Sequence, residues 1–126
     1  MAHVLVVEDE PAVREVVVKM LDHHGHDVVS AFGGLDAIRK IKTNSPFDLL
    51  VTDIMMPDMT GIKLIDNVRK LLPEIKIIAI SGGGPRHYSP DVCLQLARER
   101  GADRMIMKPI IMKKFLETTT ELLNAI

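Results

Sequence analysis

Five short apolar runs recur along the chain: Val4 to Val7, Asp27 to Phe32, Phe47 to Thr52, Ile75 to Ile80, and Met105 to Met107. Most are β-branched and lack polar alternation, which is the pattern of strands buried on both faces. The segments between them have helical spacing. Val13, Val16, Val17, Met20 and Leu21 fit an i, i+3, i+4, i+7, i+8 stripe, with Pro11 placed to start that helix and Gly25 to end it. Shorter stripes follow in Ala37, Ile38 and Ile41, in Ile65, Val68 and Leu72, in Val92, Cys93, Leu96 and Ala97, and in Phe115, Leu122 and Ile126. Strand and helix in alternation require parallel pairing, with right-handed crossovers covering both faces of one sheet. The spacing therefore predicts an α/β domain.

A chain of 126 residues has room for one such domain, and a final helix running to Ile126 leaves an expectation of a single unit over 1–126 with no output domain. Only 3% of residues are aromatic against 47% hydrophobic, so Val, Ile, Leu and Met must build the core. The 16 basic and 17 acidic residues give a net charge of -1, which offers no electrostatic pull toward nucleic acid or an anionic membrane. Cys93 is the lone cysteine, and the start MAHVLVVEDE has no basic flank. A reduced, cytoplasmic protein is expected. The longest apolar runs fall far short of the roughly 20 residues a membrane-spanning helix needs.

The polar residues are placed less evenly. Glu8 and Asp9 follow the first strand, Asp53 the third, Ser81 the fourth and Lys108 the fifth. In an open parallel sheet these carboxyl ends form one edge, where ligands bind. Strand two ends in Phe32-Gly33-Gly34 and adds no such group. Two unit charges about 4 Å apart repel by roughly 4 kcal/mol at an effective dielectric of 20, so three carboxylates drawn together need compensation. Lys108 supplies one charge, and a hard divalent ion with oxygen ligands supplies the rest, Mg²⁺ being natural where phosphate is handled. A carboxylate beside Mg²⁺, a lysine and a hydroxyl is an arrangement for phosphoryl transfer, with Asp53 attacking phosphorus. Each residue alone has a plainer reading. Glu8 and Asp9 would cap the helix at Pro11, Asp53 would cap a turn, and Lys108 would be a solvated strand end. Their coincidence at four strand ends of one edge favours a site. Met55 and Met56 read as packing residues through their sulfurs, and His3, His23, His24, His26 and His87 are too scattered to suggest a designed metal centre.

The set Glu8-Asp9, Asp53 within DIMMPDMTG, Ser81 and Lys108-Pro109 resembles the receiver domain of two-component response regulators, across the whole chain. The resemblance implies a flavodoxin-like, doubly wound five-stranded parallel sheet of order 2-1-3-4-5 with five helices. It implies Asp53 as phospho-acceptor, Asp9 as a direct Mg²⁺ ligand, Glu8 as a ligand through water, and the Met55 carbonyl as a further ligand. Ser81 and Lys108 would bind the phosphoryl group, and a cis peptide before Pro109 would aim the lysine. The implied donor is a histidine kinase or histidine phosphotransfer protein. The implied output is docking to an unidentified effector through helix four, strand five and helix five, by a signalling protein that catalyses only its own phosphorylation and dephosphorylation. Two rivals stand beside it. An aspartate-nucleophile phosphatase or phosphotransferase would want a second acid where Met55 stands, and a pseudo-receiver would bind without being phosphorylated.

The chain departs from the family pattern in three places. Ser81 and Lys108 are 27 positions apart, several more than the family pattern, with the excess in loop 82–90, either a lid or a tolerated insertion. Met105 stands where the family usually has Tyr or Phe, leaving Tyr88 as the one candidate for a moving aromatic. Met55 and Gly83, two residues past Asp53 and Ser81, cannot position an attacking water, which implies slow loss of a phosphoryl group.

Overall fold

The computed structural model describes residues 2–56, 59–82 and 90–124, with the side chains of 90–94 outside that description. Strands and helices alternate in the order β1 (His3–Val7), α1 (Pro11–His23), β2 (Asp27–Ala31), α2 (Gly34–Thr43), β3 (Leu49–Asp53), α3 (Gly61–Leu71), β4 (Lys76–Ser81), α4 (Pro90–Glu99), β5 (Arg104–Met107) and α5 (Met112–Asn124). One five-stranded sheet has the order β2-β1-β3-β4-β5, and every neighbouring pair is parallel. No described helix is long and apolar enough to cross a membrane.

The two-residue period of the strands divides the core into two layers. Leu5, Val7, Leu50, Ile77 and Ala79 pack with Ala37 of α2, Leu64, Ile65 and Val68 of α3, and Ala97 of α4. The alternate residues Val4, Val6, Leu49, Val51, Ile78 and Ile80 pack with Val17 and Leu21 of α1 and Phe115 and Leu122 of α5. This explains why the strand sequences show no polar alternation, since each face of the inner strands meets helices.

Burial on both faces holds for β1, β3 and β4 but not for the outer strands. β2 is mostly half-buried, and β5 runs exposed, half-buried, half-buried, exposed. Each has only one ladder neighbour, so helices cover it from the inner side alone. The α1 stripe is narrower than its spacing suggests. Val17 and Leu21 are buried, whereas Val16 is 49% exposed at the margin.

Glycine ends two helices by the same device. Gly25 takes φ +90°, its N–H donates to the Asp22 carbonyl, and the His26 N–H donates to that of Leu21. Gly101, at φ +112°, repeats this with Arg98, while Ala102 donates to Ala97. Such paired bonds satisfy the last free carbonyls of a helix and need a left-handed residue.

Candidate functional site

The strand period that points Val4, Val6, Leu49 and Val51 toward α1 and α5 also carries Glu8, just past β1, and Asp53, the last residue of β3. Lys108 follows β5 in the same parity as Ile106. The lysine crosses the sheet edge between the two acids. Its Nζ donates to Glu8 Oε1 at 3.0 Å and to Asp53 Oδ2 at 2.9 Å. The second Asp53 oxygen, Oδ1, accepts from the backbone N–H of Met55 at 3.1 Å. Glu8 Oε2 accepts from the Glu10 N–H at 3.2 Å.

Glu8 and Asp53 are 4% and 6% exposed, so their charges are drawn out of water, and half-buried Asp9 stands beside them. Glu8, Asp9 and Asp53 each offer a carboxylate oxygen, and these oxygens lie within 4.8 Å of one another. Among the described residues no other trio of His, Cys, Asp or Glu comes so close. Burial pushes the Glu8 carboxyl up to about 7; the Lys108 hydrogen bond opposes that rise and the Asp53 charge adds to it. Burial alone would lower the Lys108 ammonium, but its bonds to Asp53 and Glu8 prevail and push it up to about 12. Burial, helped by the Asp53 charge, therefore outweighs the one lysine, and the buried glutamate holds its proton near neutrality. A hard, multiply charged cation fits this all-oxygen donor set.

Ser81 ends β4, is fully buried, and its carbonyl accepts the Lys108 N–H at 2.9 Å, tying the hydroxyl-bearing residue to the lysine. The Lys108–Pro109 peptide is cis. Met55 is half-buried and packs against the core with its carbonyl in the turn after β3, while Met56 is buried. Met105 is half-buried against the same layer. Gly83 to Ser89 of the extended loop, with Tyr88 and His87, lie outside the described residues, as does the Cys93 side chain.

The plain reading of Glu8 and Asp9 as helix caps is not what the fold uses. Glu10 is the N-cap of α1 and makes no side-chain cap bond. Two contributors went unread in the sequence. Arg14 Nη1 donates to the Glu8 carbonyl at 2.8 Å. Gly61 packs its Cα on the Asp53 peptide, and its N–H donates to the Ile54 carbonyl at 2.6 Å. The signal for Gly61 was the Thr60-Gly61 start of α3, where the Thr60 hydroxyl accepts from the Lys63 N–H. Nothing in the sequence marked Arg14.

Known proteins share this architecture. The family described as the response regulator receiver domain matches residues 4–120. Chemotaxis protein CheY of Bacillus subtilis is 33% identical over 126 residues, covering 98% of this chain and 100% of CheY. The DNA-binding transcriptional regulator NtrC of Azospirillum brasilense is 30% identical over 98% of this chain, which spans 24% of NtrC, and for the sensor kinase CckA of Brucella abortus that span is 13%. The crystal structure of a CheY-like receiver domain protein from Methanospirillum hungatei JF-1 superposes with a TM-score of 0.87 at 30% identity, covering 98% of this chain and 94% of that one. Matched along nearly its whole length in sequence and in fold, the chain belongs to the response regulator receiver domain family of two-component systems.

Proposed function

We propose that this receiver takes a phosphoryl group onto Asp53 from a phosphohistidine of a histidine kinase or histidine phosphotransfer protein, acting in the cytoplasm. A carboxylate oxygen of Asp53 forms the new P–O bond as the P–N bond breaks, and the imidazole departs with its electron pair. The observation that carries the reading is the placement of Asp53 beside an ammonium donor and two further acids. The Met55 N–H holds one carboxylate oxygen in place. Lys108 stands where it would meet charge developing on the phosphoryl oxygens, and Ser81 would donate a hydrogen bond to one of them.

Glu8, Asp9, Asp53 and the Met55 carbonyl are the residues that would hold Mg²⁺, with Glu8 acting through water. When bound, the ion neutralises the acids and the incoming phosphoryl charge. The phosphatase rival lacks its general acid, because the residue two past Asp53 is Met55. Output is docking to an effector. Incubation with acetyl phosphate should add one phosphoryl mass in the presence of Mg²⁺ and none in EDTA. Multiple turnover of small phosphoesters would instead favour the enzyme, and no adduct the pseudo-receiver.

A pH dependence follows from Glu8. Its carboxyl binds a proton more tightly folded than unfolded, so between 4.5 and about 7 the ion-free protein loses stability as pH rises. Mg²⁺ must displace that proton. Its apparent affinity should therefore climb, by at most about tenfold per pH unit, up to about 7 and then level off. Calorimetric titration at several pH values checks this, and a flat profile would contradict it.

A further inference from the structure

We infer that Arg14 is a positioning residue for the acid pair, holding the turn that presents Glu8 and Asp9 to a divalent cation. This rests on the reading of the acids as the Mg²⁺ pocket. The ladder of β1 ends where Val7 faces Ala31 on one side and Thr52 on the other. Glu8 and Asp9 come after it, before α1 begins at Pro11. The Glu8 N–H still reaches the Ala31 carbonyl, at 3.1 Å. Its carbonyl takes the guanidinium of Arg14 at 2.8 Å, from the first turns of α1. That carbonyl belongs to the peptide joining Glu8 to Asp9, so its orientation sets the direction of both side chains. A charge-assisted bond from a half-buried, planar donor fixes it.

The sign of the effect separates positioning from charge. A guanidinium near an acidic pocket repels a divalent cation, so if Arg14 acted only as a charge its removal would tighten Mg²⁺ binding. If it orients the acids, removal weakens binding, as loss of an outer orienting partner does at metal sites. Arg14→Ala should therefore bind Mg²⁺ about tenfold more weakly. Arg14→Lys, which keeps the charge and one donor but not the fork, should fall between that variant and the unaltered protein. Affinities are measured by calorimetry at a temperature where urea curves show each protein fully folded, so a loss of global stability alone leaves them unmoved. Arg14→Ala binding as tightly as the unaltered protein, or more tightly, overturns the inference. If Arg14→Ala does not fold, Arg14→Lys decides, and equality with the unaltered protein overturns it. An unaltered protein that binds no Mg²⁺ overturns the pocket itself, a different failure.

Discussion

Asp53→Asn is expected to reduce the acetyl phosphate adduct from most of the protein to none. The substitution keeps the shape of the side chain, so the oxygen that accepts from the Met55 N–H remains in place. It removes the nucleophile. A neutral amide oxygen does not attack phosphorus at a useful rate, and Lys108 loses one of its two carboxylate partners. Glu8 and Asp9 are too similar to Asp53 in chemistry to be dismissed as acceptors by type alone, so position must decide. Glu8 already carries a raised carboxyl, caused first by burial, and is mostly protonated below about 7. An adduct that survives Asp53→Asn would place the phosphoryl group elsewhere and sink the assignment. A second readout comes from the same variant. The Asp53 charge helps hold the Glu8 carboxyl up, so Glu8 should titrate below about 7 in Asp53→Asn while burial keeps it above 4.5. The fall in stability with rising pH should shrink accordingly.

What the sequence revealed and what it hid follow from the range of the interactions involved. The sheet was legible because aliphatic runs such as Leu49 to Val51 are apolar on both faces, and a parallel sheet clad in helices is what buries them. The acids and Lys108 were legible because all sit at carboxyl ends, which a parallel sheet gathers at one edge. The bond from Lys108 to Glu8 spans 100 positions, yet strand-end placement alone anticipates it. The exposure of β2 and β5 was not legible, because an apolar run does not state whether its strand is inner or outer. Val16 matched the helical template yet lies at the stripe's margin, where cover depends on how α1 is rotated against the sheet. Arg14 and Gly61 act through backbone carbonyls, which every residue has. No pattern of side chains announces Arg14, and for Gly61 the signal was its place after Thr60 at the start of α3.

Gly61→Ala should cost about 3 kcal/mol or more in unfolding free energy, the upper range for inserting a group into a filled site. A Cβ on Gly61 would stand 2.1 Å from the Asp53 carbonyl oxygen, 2.6 Å from Ile54 Cα and 2.9 Å from the Asp53 carbonyl carbon. All three are backbone atoms, so no side chain can rotate away. Relief requires either lifting the start of α3 off β3, which breaks the Gly61 N–H bond to Ile54, or shifting the Asp53 peptide. That peptide is held by the Thr52 hydroxyl, which donates to the Asp53 carbonyl at 2.8 Å, so a shift also moves the carboxylate that Lys108 and Met55 position. Gly34 is the internal control. A Cβ there would meet Met59 Sδ and Cγ at 2.8 and 3.0 Å, which a rotamer change can move away, and Met59 Cβ at 2.6 Å, which only a backbone shift can, but none of these atoms belongs to the acceptor peptide. Gly34→Ala should therefore also cost stability, about 1–3 kcal/mol, but leave the Asp53 peptide untouched. Urea unfolding of both variants, with the rate of acetyl phosphate labelling, tests the contrast. A Gly61→Ala protein labelled at the normal rate would show that the close approach of α3 does not hold the acceptor in place.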